Sequence, residues 1–302
     1  MNELHGWLLD LYAVEEHGLV LWVLSDSGTR KRLFHNFPIT FYVAGPDNRL
    51  REAWQFLESH PVQKTLAWTE RLDLFSGPLE VLAVCVANPA QQPKCFHDLW
   101  RRFPDLVYYN TDIPLAVRYA AAFDCFPLAR CRFFVDEGDR VQMMETLDSP
   151  WDPEPALPPL RILRIEPDID PQHATPRLVT IHRPRGAVHI PVLPFRGLLL
   201  SIRANVQRTD PDLILTRWGD TWLFPHLMAF CERQGISYFN PNRDQQQRAL
   251  QREENSYFTY GQIVYRGRQF LLYGRWHIDQ QNAVMIGDYG LPGVLEQARV
   301  TG

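Results

Sequence analysis

The sequence has no run of apolar residues approaching the ~18 that a membrane-spanning helix needs. Its start, Met-Asn-Glu-Leu-His-Gly, lacks the basic stretch and apolar core of a secretory leader. Cysteine is scarce: Cys85, Cys95, Cys125, Cys131 and Cys231 form an odd set with no Cys-x-x-Cys pair. That argues against a disulfide framework and a zinc site, and it fits a reducing compartment. No excess of positive charge is present either. The 31 Lys and Arg against 35 Asp and Glu leave a net charge of −4, so nothing global advertises nucleic-acid binding, although local basic patches stay open. A Gly-rich phosphate loop, a Gly-x-Ser-x-Gly elbow and a His-Glu-x-x-His helix are all missing. The expectation is a soluble cytoplasmic protein with no membrane partner.

What is present points to a mixed chain. With 302 residues, 45% of them hydrophobic, there is material for two cores; nine Trp, 24 Pro and 12% aromatics imply sheets, helices and many turns. Consecutive strands are expected at Trp7–Tyr12, Gly18–Leu24, Lys31–Phe34 and Phe41–Ala44, then a helix over Arg49–His60, a strand over Leu79–Val86 and a helix over Phe96–Phe103. Asp112 is placed to cap a helix with Pro114 near its first turn and Arg118 and Tyr119 on it. Asp136–Pro159 is polar, acidic and Pro-rich, which reads as a linker with a domain boundary near residue 156. Beyond it come strands at Leu160–Ile165, Thr180–His182 and Gly186–Ile190 and a helix over Gly197–Arg208. Strands at Tyr257–Tyr265 and Phe270–Asp279 and a last helix, Leu291–Arg299, complete the order.

The most informative stretch is Asp210–Arg233. A buried strand (Leu213, Ile214, Leu215) runs through a polar turn (Trp218–Thr221) into a helix with Pro225 in its first turn. Leu223, Leu227, Met228, Phe230 and Cys231 recur at helical spacing and should face inward. A carboxylate on such a turn is a metal ligand in many α/β nucleases, and Asp220 occupies the turn; Gly-Asp-Thr is equally a turn-former or helix cap. His277 and Asp279, two apart on a strand, share a face and make either a general-base pair or a structural one. From Tyr257 to Arg275, aromatics including Tyr260 alternate with Arg266, Arg268 and Arg275. Stacking platforms beside cations suit single-stranded nucleic acid. The same pattern also describes amphipathic strands with solvated arginines.

Three segments, in order, resemble family-B DNA polymerases. Tyr109, Asp112, Ile113, Arg118 and Tyr119 match that family's Tyr-x-x-Asp-Ile-x-x-x-x-Arg-Tyr segment; Asp210-Pro-Asp-Leu-Ile resembles its second exonuclease motif; Gly274–Asp279 resembles a later strand. The resemblance implies an α/β chain with an α+β, β-rich N-terminal domain over 1–156 and an RNase H-like exonuclease-fold domain over 157–302. It also implies an altered site. The family's Asp-x-Glu reads Glu166-Pro167-Asp168 here, its second-motif Asp is Leu223, and no Tyr-x-x-x-Asp follows residue 230. Two-metal phosphodiester cleavage needs several converging carboxylates. The expectation is therefore a pseudo-enzyme with no catalytic residues, no metal and no cofactor, and Glu166, Asp168, Asp220 and Asp279 as vestiges. Mg²⁺ or Mn²⁺ belongs here only if those four form a rewired nuclease. Palm, fingers and thumb motifs do not occur, so the implied role is a DNA-binding scaffold in replication or repair. Its implied partners are single-stranded or primer–template DNA and a separate chain carrying the palm. A stand-alone interaction protein is the remaining reading.

Overall fold

The computed structural model describes residues 1–301 apart from 153, 184–185, 260–261 and 284–285, and the backbone alone over 257–266. The described chain divides into two compact units, Met1–Pro155 and Ala156–Thr301. The chain is mixed α/β throughout, with helices packed on sheets. Among the described residues no helix is long and apolar enough to cross a membrane.

The first unit opens with β1 (Asn2–Val14), β2 (Gly18–Ser25) and β3 (Arg30–His35), paired antiparallel as hairpins. β2 is the run Gly-Leu-Val-Leu-Trp-Val-Leu-Ser and is buried from Leu19 onward, which is why it reads as continuous hydrophobicity rather than alternation. At Gly6 a Cβ would collide with the Leu24 carbonyl oxygen, so the close approach of β1 to β2 requires glycine there. Next comes β4 (Ile39–Ala44), α1 (Asp47–Ser59), β5 (Lys64–Asp73), β6 (Gly77–Val86), α2 (Gln92–Arg102) and β7 (Val107–Tyr109). These form a β-α-β-β-α-β sheet in the order β5-β6-β4-β7. Its core holds Phe41, Val43, Leu50, Leu57, Leu82 and Val84. Finally α3 (Leu115–Phe123), β8 (Arg130–Val135) and β9 (Arg140–Thr146) return to the opening strands and close a barrel, β1-β2-β3-β9-β8.

Two expectations fail in this unit. Asp112 does not cap α3: Pro114 is the cap residue, and no side chain caps that end. The segment read as a linker contains β9, because its acidic character is turn chemistry. Asp136 Oδ1 accepts from the Gly138 and Arg140 amides at 2.9 and 3.0 Å, folding β9 back against β8.

The second unit begins with β10 (Ile162–Pro167), β11 (Leu178–Arg183) and β12 (Gly186–Pro191), antiparallel neighbours, then α4 (Phe195–Thr209) and β13 (Leu213–Thr216). A π-helical turn, Gly219–Leu223, leads into α5 (Phe224–Gln234). Next are β14 (Leu250–Arg252), β15 (Asn255–Thr259), β16 (Gln262–Arg266), β17 (Gln269–Leu271), β18 (Trp276–Asp279) and α6 (Ile286–Thr301), which breaks at Gly290. The main sheet runs β12-β11-β10-β13-β18, with β13 parallel to both β10 and β18. Leu163, Ile165, Ile181 and Ile214 from the sheet pack with Leu198 and Ile202 of α4 and Leu227 of α5. The stretch read as one strand, Tyr257–Tyr265, falls in two strands, β15 and β16, which pair antiparallel.

Within the barrel, Tyr119 is fully buried, and its hydroxyl lies 2.8 Å from His35 Nδ1. Burial lowers the His35 pKa from 6.5 to about 4. The unfolded chain therefore takes up a proton that the folded chain refuses, and stability contributed above pH 6.5 is lost as pH falls towards 4. The expected slope is at most about 1.4 kcal/mol per pH unit. Thermal unfolding at about pH 7.5 and about pH 4.5 should show a smaller acid loss for His35→Gln than for the parent chain. Equal losses would show that another group carries the acid sensitivity.

Candidate functional site

The parallel strands β10, β13 and β18 end side by side, with Ile165 opposite Thr216 and Thr216 opposite Asp279. In open α/β sheets ligands bind outside the carboxyl ends of parallel strands, so the carboxylates there are the ones to inspect as metal ligands. Each carboxylate there has a different occupation. Glu166 lies 3.8 Å from Arg164 Nε and 3.7 Å from His182 Nε2 on the partly exposed sheet face. Asp168 is exposed and accepts from the Arg177 amide at 3.0 Å. Asp279 is buried and accepts three amides, from Trp218 (3.1 Å), Asp220 (2.9 Å) and Gln281 (3.1 Å). It thereby fixes the turn after β13, where Trp218 adopts a left-handed φ of 62°. Asp220 is buried too and accepts from the Phe270 amide and from Asn282 Nδ2, both at 2.6 Å. Burial raises the Asp220 carboxyl pKa, opposed by His277 and by those two donors.

Leu223 is 1% exposed and packs in the core with Phe224 and Leu227. Among the described residues no three His, Cys, Asp or Glu side chains converge closely enough to hold a metal ion. Glu166 faces Arg164 and His182, Asp220 and Asp279 are engaged by backbone amides and Asn282, and position 223 is aliphatic, so the oxygens of these described residues do not converge as a two-metal centre requires.

A second constellation was not legible in the sequence. His277 Nδ1 lies 2.7 Å from the Phe270 carbonyl, which only accepts, so Nδ1 carries the proton. Nε2 then accepts from the Thr216 hydroxyl at 2.8 Å. Asp220 Oδ1 stands 3.4 Å from Nδ1. Hydroxyl, imidazole and carboxylate follow the order of a nucleophilic triad. Yet Thr216 is fully buried, and Gly219 roofs the pair so closely that a Cβ there would overlap Thr216 Oγ1 and sit 2.6 Å from His277 Nε2. No substrate reaches the hydroxyl. The arrangement locks β13, β18 and the π-turn together, and His277 and Asp279 engage separate partners instead of forming a general-base pair.

Of the expected nucleic-acid residues, Tyr260 and the Arg266 side chain lie outside the described residues. Arg268 is ion-paired with Glu253 at 2.9 Å. Arg275 is only 4% exposed and faces Asp210 at 3.1 Å, and burial lowers its pKa to about 10. Its inward position takes it out of any surface that a strand could touch. A different electrostatic feature stands out. Residues 156–302 carry 17 Arg, no Lys and 13 acidic residues, a net +4, whereas residues 1–155 carry a net −8. The whole-chain charge conceals this asymmetry, which counting the halves separately uncovers. Arg177 and Arg217 are exposed; Arg217 directly follows β13, and the Arg177 amide is bound by Asp168 beyond the end of β10.

The locked turn makes a stability prediction. Gly219→Ala should cost about 2 kcal/mol or more through overpacking, and Thr216→Val about 1–3 kcal/mol by stranding His277 Nε2. Denaturant unfolding followed by tryptophan fluorescence measures both, and near-neutral effects would contradict the lock.

No family model matches the chain, and no curated protein sequence does. Among solved structures, the family B DNA polymerase from the hyperthermophilic archaeon Pyrobaculum calidifontis superposes with a TM-score of 0.68 at 19% sequence identity. The match covers 94% of this chain and 37% of the polymerase, so the chain spans little more than a third of that protein's length. At that identity the likeness is one of fold: almost all of this chain is built like part of a family B DNA polymerase.

Proposed function

We propose that the chain is a DNA-contacting, non-catalytic module of the family-B polymerase type, serving replication or repair beside a separate chain that carries the palm. The observation that carries this reading is the redeployment of the carboxylates. Asp220 and Asp279 bind backbone amides, and Leu223 fills the core at the remaining position. The β-β-β-α-β-α order of the second unit supports an RNase H-like fold that has kept its framework without its metal ligands.

DNA contact rests on charge. The second unit is basic through arginine alone, and arginine suits phosphate by its planar, bidentate fork. Arg177 and Arg217 are the candidate phosphate contacts, in place of the buried Arg275.

The test combines binding and digestion. A labelled single strand titrated at two salt concentrations should bind in a salt-sensitive way, and Arg217→Ala should reduce the log–log salt slope by about 1. With Mn²⁺ or Mg²⁺ present, the strand should remain intact. Metal-dependent 3′→5′ digestion that disappears in Asp168→Ala would replace this proposal with a rewired nuclease. Absence of both binding and digestion would leave an interaction protein that keeps only the fold.

A further inference from the structure

The acidic first unit has its own unassigned cavity. α1 presents Asp47, Arg51, Trp54 and Glu58 along one stripe, at the spacing that brings successive turns onto one helix face. Facing them are Trp68 of β5 and Glu80 of β6, and together they line a groove of about 460 Å³. That volume is in the range of built ligand sites. Two of the lining residues are indoles, Trp54 and Trp68, stacked with centroids 5.6 Å apart at 12°. Trp54 Nε1 donates to Glu58 Oε1 at 2.8 Å, which fixes one ring, while Trp68 remains 41% exposed.

The rim has three carboxylates against one guanidinium, in a unit of net charge −8. Glu80 also stands directly opposite Glu70 across the β5–β6 ladder. Like charges so placed destabilise a sheet. A cation arriving there relieves that repulsion and gains an indole face, the strongest of the cation–π partners.

The same hairpin runs outward from the groove to an apolar tip. Leu72, Leu74 and Phe75 are 81%, 89% and 93% exposed. Asp73 Oδ1 closes the turn at the tip by accepting from the Phe75 and Ser76 amides at 2.9 and 2.7 Å. A turn that presents apolar side chains beside an acidic aromatic groove is complementary to one kind of surface. Phosphate-bearing partners, whether nucleic acid or anionic bilayer, meet the wrong charge. We infer that the α1/β5–β6 groove and hairpin tip bind a cationic, amphipathic segment of a partner protein, with a Lys or Arg side chain over Trp68 and apolar side chains on Leu74 and Phe75.

Tryptophan fluorescence and titration calorimetry of the full chain test this with a short synthetic peptide carrying Arg and Leu at helical spacing. Three probes serve as comparisons: the same peptide with Glu for Arg, spermidine, and a single-stranded oligonucleotide. The Arg–Leu peptide should bind, and the Glu peptide and the oligonucleotide should not compete for the groove. Trp68→Ala should weaken binding about tenfold, through loss of the indole face. Glu80→Gln and the paired Leu74→Ser, Phe75→Ser change should each weaken it about fivefold. Glu80→Gln removes a like-charge repulsion and keeps the fold, so an unaltered affinity in that variant overturns the proposal even if Trp68→Ala unfolds. Spermidine binding as tightly as the peptide would instead assign the groove to a free polycation, and failure of the Arg–Leu peptide to bind removes the site altogether.

Discussion

The second unit depends on one buried ion pair. Asp212 is fully buried, and its carboxylate accepts from Arg243 Nη2 at 2.9 Å and from the Arg161 amide at 2.8 Å. The Asp212 carbonyl accepts from the Trp276 amide at 2.8 Å. One residue thus ties the starts of β10, β13 and β18 to the 240s loop. Arg243 completes the knot by donating to Asp210 and to the carbonyls of Asp210, Pro211 and Gly274. A desolvated carboxylate needs such saturation: a buried pair with either partner removed costs roughly 3–5 kcal/mol. This is why Asp210-Pro-Asp212 carries so much organisation without carrying chemistry.

At the opposite end of the same strands, Asp220 and Asp279 do comparable work. Each is buried, and their oxygens accept from the turn, from β17 and from Gln281 and Asn282 just after β18. A metal ion there would compete with those donors for the same oxygens. π-Helical turns are frequent at functional positions. Here the turn is held by Asp279 and roofed onto His277 by Gly219, and the result is rigidity at a strand end where chemistry would need access.

The two units also divide electrostatically. The barrel and the β-α-β-β-α-β sheet of the first are acidic, and the second is basic with arginine as its only side-chain cation besides histidine. In the first unit, Arg118 shows how the polymerase-like Tyr-x-x-Asp-Ile segment acts. Its guanidinium donates to the carbonyls of Thr40, Ile113 and Asn110, which pins α3 to the loop before it and to β4. The segment is architecture, and Tyr119 beside it fills the barrel.

Local order was largely legible in the residues themselves. Apolar runs announced β2 and β13, helical spacing announced α1 and α5, and Pro225 stands in the first turn of α5, where a missing amide does no harm. Turn chemistry was harder to read: Asp136 made a hairpin look like a linker, and the division of 257–265 between two strands carried no signal distinct from a single strand. The site was legible only in outline. The sequence by itself determined which carboxylates exist, that Leu223 is not one of them, and that arginine gathers in the second half. Tertiary structure alone decided their roles. Apart from Gln281 beside Asp279, the partners of Asp220, Asp279 and Arg275 lie 50 to 65 residues away along the chain, so their pairing depends on how β13, β17 and β18 assemble. Burial then commits a charge to structure wherever its hydrogen bonds are saturated, and no local pattern records that outcome.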